Sequence, residues 1–310
     1  MLKKVKFVYN PLAGEAVVTA YLDQIVALYQ RNGYSLVPYR LTFEGDTYRQ
    51  DIVHDLDDSY HHVLIAGGDG TLNFMVNLLQ DNNIDIPIAI LPEGTSNDFG
   101  RFIGMPDDLM KGCRKILAGR IATIDLGLAN GRWFINLLAS GLFTEVSYKT
   151  PSLVKSTFGR MAYFFGAVGE LPKLRRMNIE ITSDGGDYSG NCLMILVFNG
   201  QTAGQLRIAH TAELDDGLLD VVILKGEKTI VALAQALTHI RVGASLQAKY
   251  NRSLDEIVHF KCSRLEVEGR NGNAGQPTDI DGQEGPQFPL RIECAAHRQK
   301  IILPARDIKK

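Results

Sequence analysis

Val63-Leu64-Ile65-Ala66-Gly67-Gly68-Asp69-Gly70-Thr71-Leu72-Asn73 is the stretch that decides the fold. Val63 to Ala66 form a short apolar run, the pattern of a buried strand. Leu72 to Leu79 have the apolar spacing of a helix. A glycine-rich turn between a parallel strand and a helix offers backbone N–H groups to phosphate. Glycine is required where a Cβ would block that approach. Asp69 does not belong in a simple anion cradle, because a bare carboxylate repels phosphate. It fits if a metal ion, or a hydroxyl about to lose its proton, sits beside it. The stretch therefore points to phosphoryl transfer rather than passive nucleotide binding.

Two further segments have the same design. Val5 to Tyr9 read as a strand that runs into Asn10-Pro11-Leu12-Ala13-Gly14. Ile86 to Leu91 read as another, followed by Pro92-Glu93-Gly94-Thr95-Ser96-Asn97-Asp98-Phe99. In an open α/β sheet, loops at the carboxyl ends of the strands converge on one crevice. Helical spacing at Val17 to Tyr29, Tyr48 to Leu56 and Leu109 to Leu117 alternates with these strands and with Ser35 to Leu41. Such alternation predicts a parallel sheet with covering helices.

Beyond Ile121 the texture changes to strands separated by Gly-, Asn- and Asp-rich turns. The strand signals are Ile121 to Leu128, Trp133 to Leu138, Asn178 to Ser183, Asn191 to Phe198, Leu218 to Leu224, Arg264 to Glu268 and Leu290 to Ala295. They predict an all-β sandwich, interrupted by helices near Val154 to Leu174 and Thr229 to Val242. The expected division is an α/β domain over 1–125 and a β-sandwich domain over 126–310, whose last residues can return to the first domain.

Asn-Pro-x-x-Gly from Asn10, Gly-Gly-Asp-Gly-Thr-x-Asn from Gly67 and Gly-Thr-x-Asn-Asp-Phe from Gly94 together resemble the bacterial diacylglycerol kinase and lipid kinase family. Leu214-Asp215-Asp216-Gly217-Leu218 and Asp279-Ile280-Asp281-Gly282-Gln283-Glu284 extend the resemblance over nearly the whole chain, in order. It implies an ATP- and Mg²⁺-dependent transfer to a lipid hydroxyl, with diacylglycerol as the leading acceptor. By the same resemblance, Asn10, Pro11, Gly14, Thr42, Gly67, Gly68, Gly70, Thr71, Asn73, Gly94, Thr95 and Asn97 contact ATP. Asp69 and Asp98 serve the phosphate, metal and proton chemistry, and Asn73 can also cap its helix. Glu213, Asp216 and Leu218 match a structural Mg²⁺ loop, whose carboxylate and carbonyl oxygens suit a hard cation.

One departure stands out. The family reads Asp-Gly-Glu where this chain reads Asp281-Gly282-Gln283, and an amide cannot accept the proton. Asp281 is the expected general base, with Gln283 as a neutral hydrogen-bonding substitute; Glu284 is the other option. An NAD kinase-like enzyme shares the Gly-Gly-Asp-Gly loop but not the other segments. A non-catalytic lipid- or nucleotide-binding regulator is kept open by Gln283.

Composition narrows the classes. With 310 residues, 45% hydrophobic, the chain can bury real cores. A net charge of −2 argues against a nucleic-acid binder. The longest apolar stretches, Met161 to Val168 and Ile230 to Leu237, are too short to span a bilayer. The expectation is a cytoplasmic protein that visits the inner face of the membrane, with a homodimer as an option. Arg101, Lys155, Arg160, Lys173, Arg175 and Arg176 are candidates for that face. The scattered Cys113, Cys192, Cys262 and Cys294 read as reduced thiols. His54, His61 and His62 read as a solvated helix end rather than a metal site.

Overall fold

A computed structural model describes residues 2–14, 17–42, 48–141, 176–204, 206–225 and 256–306. The helices expected at 154–174 and 229–242 lie outside them, as do Lys155, Arg160, Lys173 and Arg175. The chain divides into two compact units, Met1–Ile124 with His297–Lys310, and Asp125–Ala296.

The first unit contains β1 (Lys3–Tyr9), α1 (Val18–Arg31), β2 (Tyr34–Arg40), α2 (Tyr48–Val53), β3 (Tyr60–Gly67), α3 (Asp69–Asp81), β4 (Ile88–Pro92), α4 (Asp98–Phe102) and α5 (Leu109–Leu117). Strand β1 pairs in parallel with β2 on one side and β3 on the other, and β3 pairs in parallel with β4. Parallel pairing aligns the strands' carboxyl ends, so Tyr9 stands opposite Ala66, and Gly67 opposite Pro92.

Helix amphipathicity explains the covering layer. Helix α5 buries Leu109, Gly112, Cys113 and Ile116, one face at i, i+3, i+4 and i+7 spacing. Its first turn is capped by Asp108, whose side chain accepts the Lys111 N–H at 2.6 Å. Helix α3 is different, being buried from Thr71 to Gln80 without interruption. It starts at Asp69, so the Gly-Asp-Gly segment is the helix's own first turn rather than a loop before it.

The second unit holds β6 (Arg132–Phe134), β7 (Leu137–Gly141), β8 (Met177–Ser183), β9 (Tyr188–Phe198), β10 (Thr202–Ala203), β11 (Leu206–Arg207), β12 (Leu219–Lys225), β13 (Ile257–Cys262), β14 (Arg264–Arg270), β15 (Asp279–Ile280) and β16 (Gln283–Glu284). Strand β5 (Arg120–Ala129) leads into it, and β17 (Leu290–Leu303) leads out. The pairings β8–β9, β7–β9, β9–β12, β12–β13 and β8–β14 are all antiparallel. Strand β9 carries one core on each face: Cys192, Ile195 and Val197 join one apolar cluster, Leu193, Leu196 and Phe198 another. Burial on both faces is why it reads as a continuous apolar run instead of an alternating one. This mostly-β sandwich follows the α/β unit, as the alternation and turn signals predict.

Three local expectations change. The Trp133 to Leu138 run is broken into β6 and β7, with Ile135 and Asn136 between them. The last strand runs to Leu303, eight residues past Ala295, and its end pairs with β4 through Ile301 and Ile88. There Gln299 accepts a 2.9 Å hydrogen bond from Gln80 of α3, both side chains buried. Of the three histidines only His54, exposed just past α2, is a solvated helix end. His61 and His62 lie in β3, with His62 1% exposed.

Burial outweighs solvation for His62. Its Nδ1 sits 2.8 Å from Nδ1 of His61, and its Nε2 has no hydrogen-bond partner. Burial first, and then the neighbouring His61, push its pKa down to about 3 from the ordinary 6.5. The unfolded chain therefore binds this proton below pH 6.5 while the folded chain refuses it, so stability falls as pH drops through that window. From pH 7 to pH 5 the term costs about 2 kcal/mol. In urea melts at those two pH values, His62→Gln should lose about that much less than the parent chain; equal losses would contradict the assignment.

Candidate active site

Three strand-ending turns meet in the first unit. After β1, the Asn10 side chain shapes its own turn by accepting the Leu12 N–H at 2.9 Å. Its Nδ2 reaches 3.3 Å to the Thr71 hydroxyl in α3, tying the first turn to the second. Pro11 is buried beneath, and Gly14 has φ +51. A Cβ on Gly14 would lie 2.1 Å from the Glu93 carbonyl oxygen, so only glycine lets these turns touch.

The second and third turns are equally close. A Cβ on Gly94 would stand 2.5 Å from the Gly68 Cα. Gly68 is the N-cap of α3, and its carbonyl accepts the Thr71 and Leu72 N–H groups. Gly67 ends β3 and accepts the Glu93 N–H at 2.9 Å. Asn97, left-handed at φ +50, grips the Gly94 backbone from both sides with two 2.7 Å bonds. Its side chain thus closes the turn and does not cap α4. The Asp69 carboxylate lies at 3.4 Å from the Phe99 N–H, linking the second turn to the first turn of α4. Asp98 opens α4 and is buried, while Thr95 and Gly70 are accessible. Thr42 is exposed just beyond β2. Asn73 is fully buried, with its Oδ1 accepting from Asn77, so it packs α3 and does not cap it.

Glu93 is a residue that sequence reasoning passed over. Its carboxylate accepts the Val18 N–H at 3.1 Å, capping α1 from a different turn. Burial raises its pKa, partly offset by that bond. The signal was a lone acid between buried Pro92 and Gly94. Beside it lies a cavity of about 620 Å³ lined by Gly14, Tyr21, Glu93, Gly94, Thr95 and Arg101, among others. Such a volume suits a small-molecule ligand. The glycine contacts and the helix start at Asp69 fit a polyphosphate chain.

The second unit holds the other predicted residues. Asp281 and Gly282 turn the β15–β16 hairpin with positive φ at both positions, the geometry that Asp-Gly favours. The Asp281 carboxylate is 5% exposed and accepts three backbone N–H groups, from Ile135 at 2.9 Å, Asn136 at 3.1 Å and Leu137 at 2.8 Å. This set breaks the Trp133 to Leu138 run. The expected general base is thus also an anchor, and taking a proton would weaken these bonds. Gln283 is half-buried and Glu284 exposed on the outgoing strand of the hairpin.

The Asp216 loop is also engaged. Asp216 Oδ1 accepts the Leu218 N–H at 3.1 Å, and Oδ2 accepts from the Lys261 ammonium at 2.6 Å. The Leu214 carbonyl takes the Asp125 N–H, and the Asp125 carboxylate takes the Gly217 N–H, both at 2.7 Å. Glu213 is exposed. Among the described residues no group of three or more His, Cys, Asp or Glu side chains could hold a metal. As folded, both Asp216 oxygens already have partners, and an Mg²⁺ ion at this loop would have to share them.

An α/β unit with three touching glycine-built turns, followed by a mostly-β sandwich, has the organisation of a lipid or nucleotide kinase. Residues 4–129 match the diacylglycerol kinase catalytic domain family. Residues 138–303 match the YegS C-terminal NAD kinase beta sandwich-like domain. A diacylglycerol kinase of Bacillus subtilis (strain 168) is 30% identical, over 98% of this chain and 97% of that protein. One of Staphylococcus carnosus (strain TM300) is 28% identical, over 100% and 97%. A crystal structure of a diacylglycerol kinase from Bacillus anthracis str. Sterne shares the fold, with a TM-score of 0.74 at 21% identity over 97% of each chain. This chain belongs to the diacylglycerol kinase catalytic domain family. No described helix is long and apolar enough to cross a membrane.

The anchor assignment of Asp281 separates stability from chemistry. Asp281→Asn keeps the volume but sets an NH₂ against backbone donors, at about 1–3 kcal/mol for each donor left unsatisfied. Thermal melting should show a Tm lower by several degrees. An unchanged Tm with abolished activity would return Asp281 to the role of base.

Proposed function

We propose that the protein transfers the γ-phosphate of ATP to a lipid hydroxyl, with diacylglycerol converted to phosphatidic acid as the leading reaction. The observation that carries this reading is the contact of three glycine-built turns around the start of α3, with the Asp69 carboxylate among them. The diacylglycerol kinase relatives supply the choice of acceptor.

In this reading the backbone of Gly14, Gly67, Gly68, Gly70 and Gly94, with Thr71 and Thr95, holds the phosphates of ATP. Asn10, Pro11 and Asn97 keep those turns in shape, and Thr42 lies at the next strand end. ATP supplies the phosphoryl group, and Mg²⁺ neutralises charge on its oxygens. Asp69, and Asp98 at the start of α4, would supply the carboxylates for that ion. The acceptor oxygen attacks the γ-phosphorus, the bond to the β-bridging oxygen breaks, and ADP leaves. The acceptor proton passes to Asp69. Asp281 positions the hairpin that carries Gln283, an amide that cannot accept a proton.

Gln283 and the anchoring Asp281 favour a second reading, a lipid- or nucleotide-binding regulator without turnover. One assay separates the two: labelled ATP, Mg²⁺ and a panel of diacylglycerol, monoacylglycerol, sphingoid base and phosphatidylglycerol in mixed micelles. The kinase reading expects labelled phosphatidic acid, at least about 100-fold less from a folded Asp69→Asn variant, and only a modest change with Gln283→Glu. Label on no lipid supports the regulator. A gain of about 100-fold from Gln283→Glu would show that position 283 is where the family's base acts.

A further inference from the structure

Asp220 lies in β12 and is 1% exposed. Its Oδ1 accepts from the Thr211 hydroxyl at 2.6 Å and contacts His259 Nε2 at 2.8 Å. Its Oδ2 is buried without a hydrogen-bond partner. A buried carboxylate needs a cation close by. The antiparallel register of β12 and β13 supplies one, because Lys261 is the direct cross-strand partner of Asp220. Residues opposite each other on paired strands project to one face. The Lys261 ammonium lies 3.6 Å from Asp220 Oδ2 and 2.6 Å from Asp216 Oδ2. It bridges the strand carboxylate to the loop carboxylate.

The same ammonium takes up a lone pair on Asp216 Oδ2 and supplies the positive charge there, while the other oxygen of Asp216 takes the Leu218 N–H. The family resemblance places Mg²⁺ at this loop. We infer that Lys261 is the resident cation of the Asp216 loop in this chain, in place of a divalent ion. The lysine joins loop 214–218 to β13, so the loop keeps its shape without metal. An inward-pointing lysine that merely guards the edge of β13 against pairing would need no Asp216 contact. The inference goes beyond the kinase reading and does not depend on it.

Thermal melting of the full chain without nucleotide or lipid tests it. The parent chain should melt at the same temperature in excess EDTA and in millimolar Mg²⁺. Lys261→Met should melt several degrees lower in EDTA and recover in Mg²⁺ or Ca²⁺, because two carboxylates are then left facing each other. Adding Asp216→Asn to that variant should abolish the recovery. A parent chain that gains stability from Mg²⁺, with the gain lost in Asp216→Asn, would overturn the inference. So would a Lys261→Met variant whose loss no divalent ion restores, since Lys261 would then be a strand-pairing ion pair only. If Lys261→Met does not fold, Mn²⁺ titration of the parent chain followed by electron paramagnetic resonance decides the matter. No stoichiometric Mn²⁺ supports the inference, and one tightly held ion that Asp216→Asn removes overturns it.

Discussion

The backbone-to-backbone approach of Gly68 and Gly94 is the constraint from which the first unit's chemistry follows. Strands β3 and β4 are parallel neighbours, so the turns that leave them are forced side by side. No side chain fits between them, and a Cβ on either glycine would lie 3.0 Å or less from the Cα of the other. The gap is closed by hydrogen bonds instead: Asn97 clasps Gly94, Gly67 accepts from Glu93, and Asn10 reaches Thr71. What remains on that surface is backbone, hydroxyl and a helix start, which is the chemistry that phosphate oxygens prefer. Asp69 is the acid inside this arrangement, and its bond toward Phe99 fixes it against α4.

The second unit uses buried charge for architecture. Asp281 gathers three successive backbone donors, and Asn199 holds the Asp125 and Ile135 carbonyls through its Nδ2. Buried polar groups of this kind are costly when alone and rigid when satisfied. They fix the β6–β7 break to the β15–β16 hairpin, and so set where Gln283 stands. Asp216, Asp220 and Lys261 do comparable work between a loop and two strands.

The sheet, the sandwich and the three turns were legible because each rests on short-range chemistry. Apolar runs such as Val63 to Ala66 and turn residues such as Gly67 and Gly68 specify themselves. Long-range partners were not legible. Nothing near Asp281 in sequence says that its acceptors are filled by residues about 145 positions earlier. Asn73 looked like a cap or a ligand, yet it is buried one turn above Asn77. Histidines at 61 and 62 looked solvated because acidic neighbours precede them in sequence, whereas β3 half-buries His61 and carries His62 into the interior. Glu93 escaped notice because its partner, the Val18 N–H, lies 75 residues away.

Calorimetric titration with a non-hydrolysable ATP analogue and Mg²⁺ tests the central claim, that the touching turns form the phosphate cradle. Gly94→Ala pushes a methyl group against Gly68 and Asn97 without altering any charge. The account predicts that the parent chain binds and that the variant, still folded by circular dichroism, binds at least about tenfold more weakly, or about 1.4 kcal/mol. Equal affinity in the two chains would contradict it.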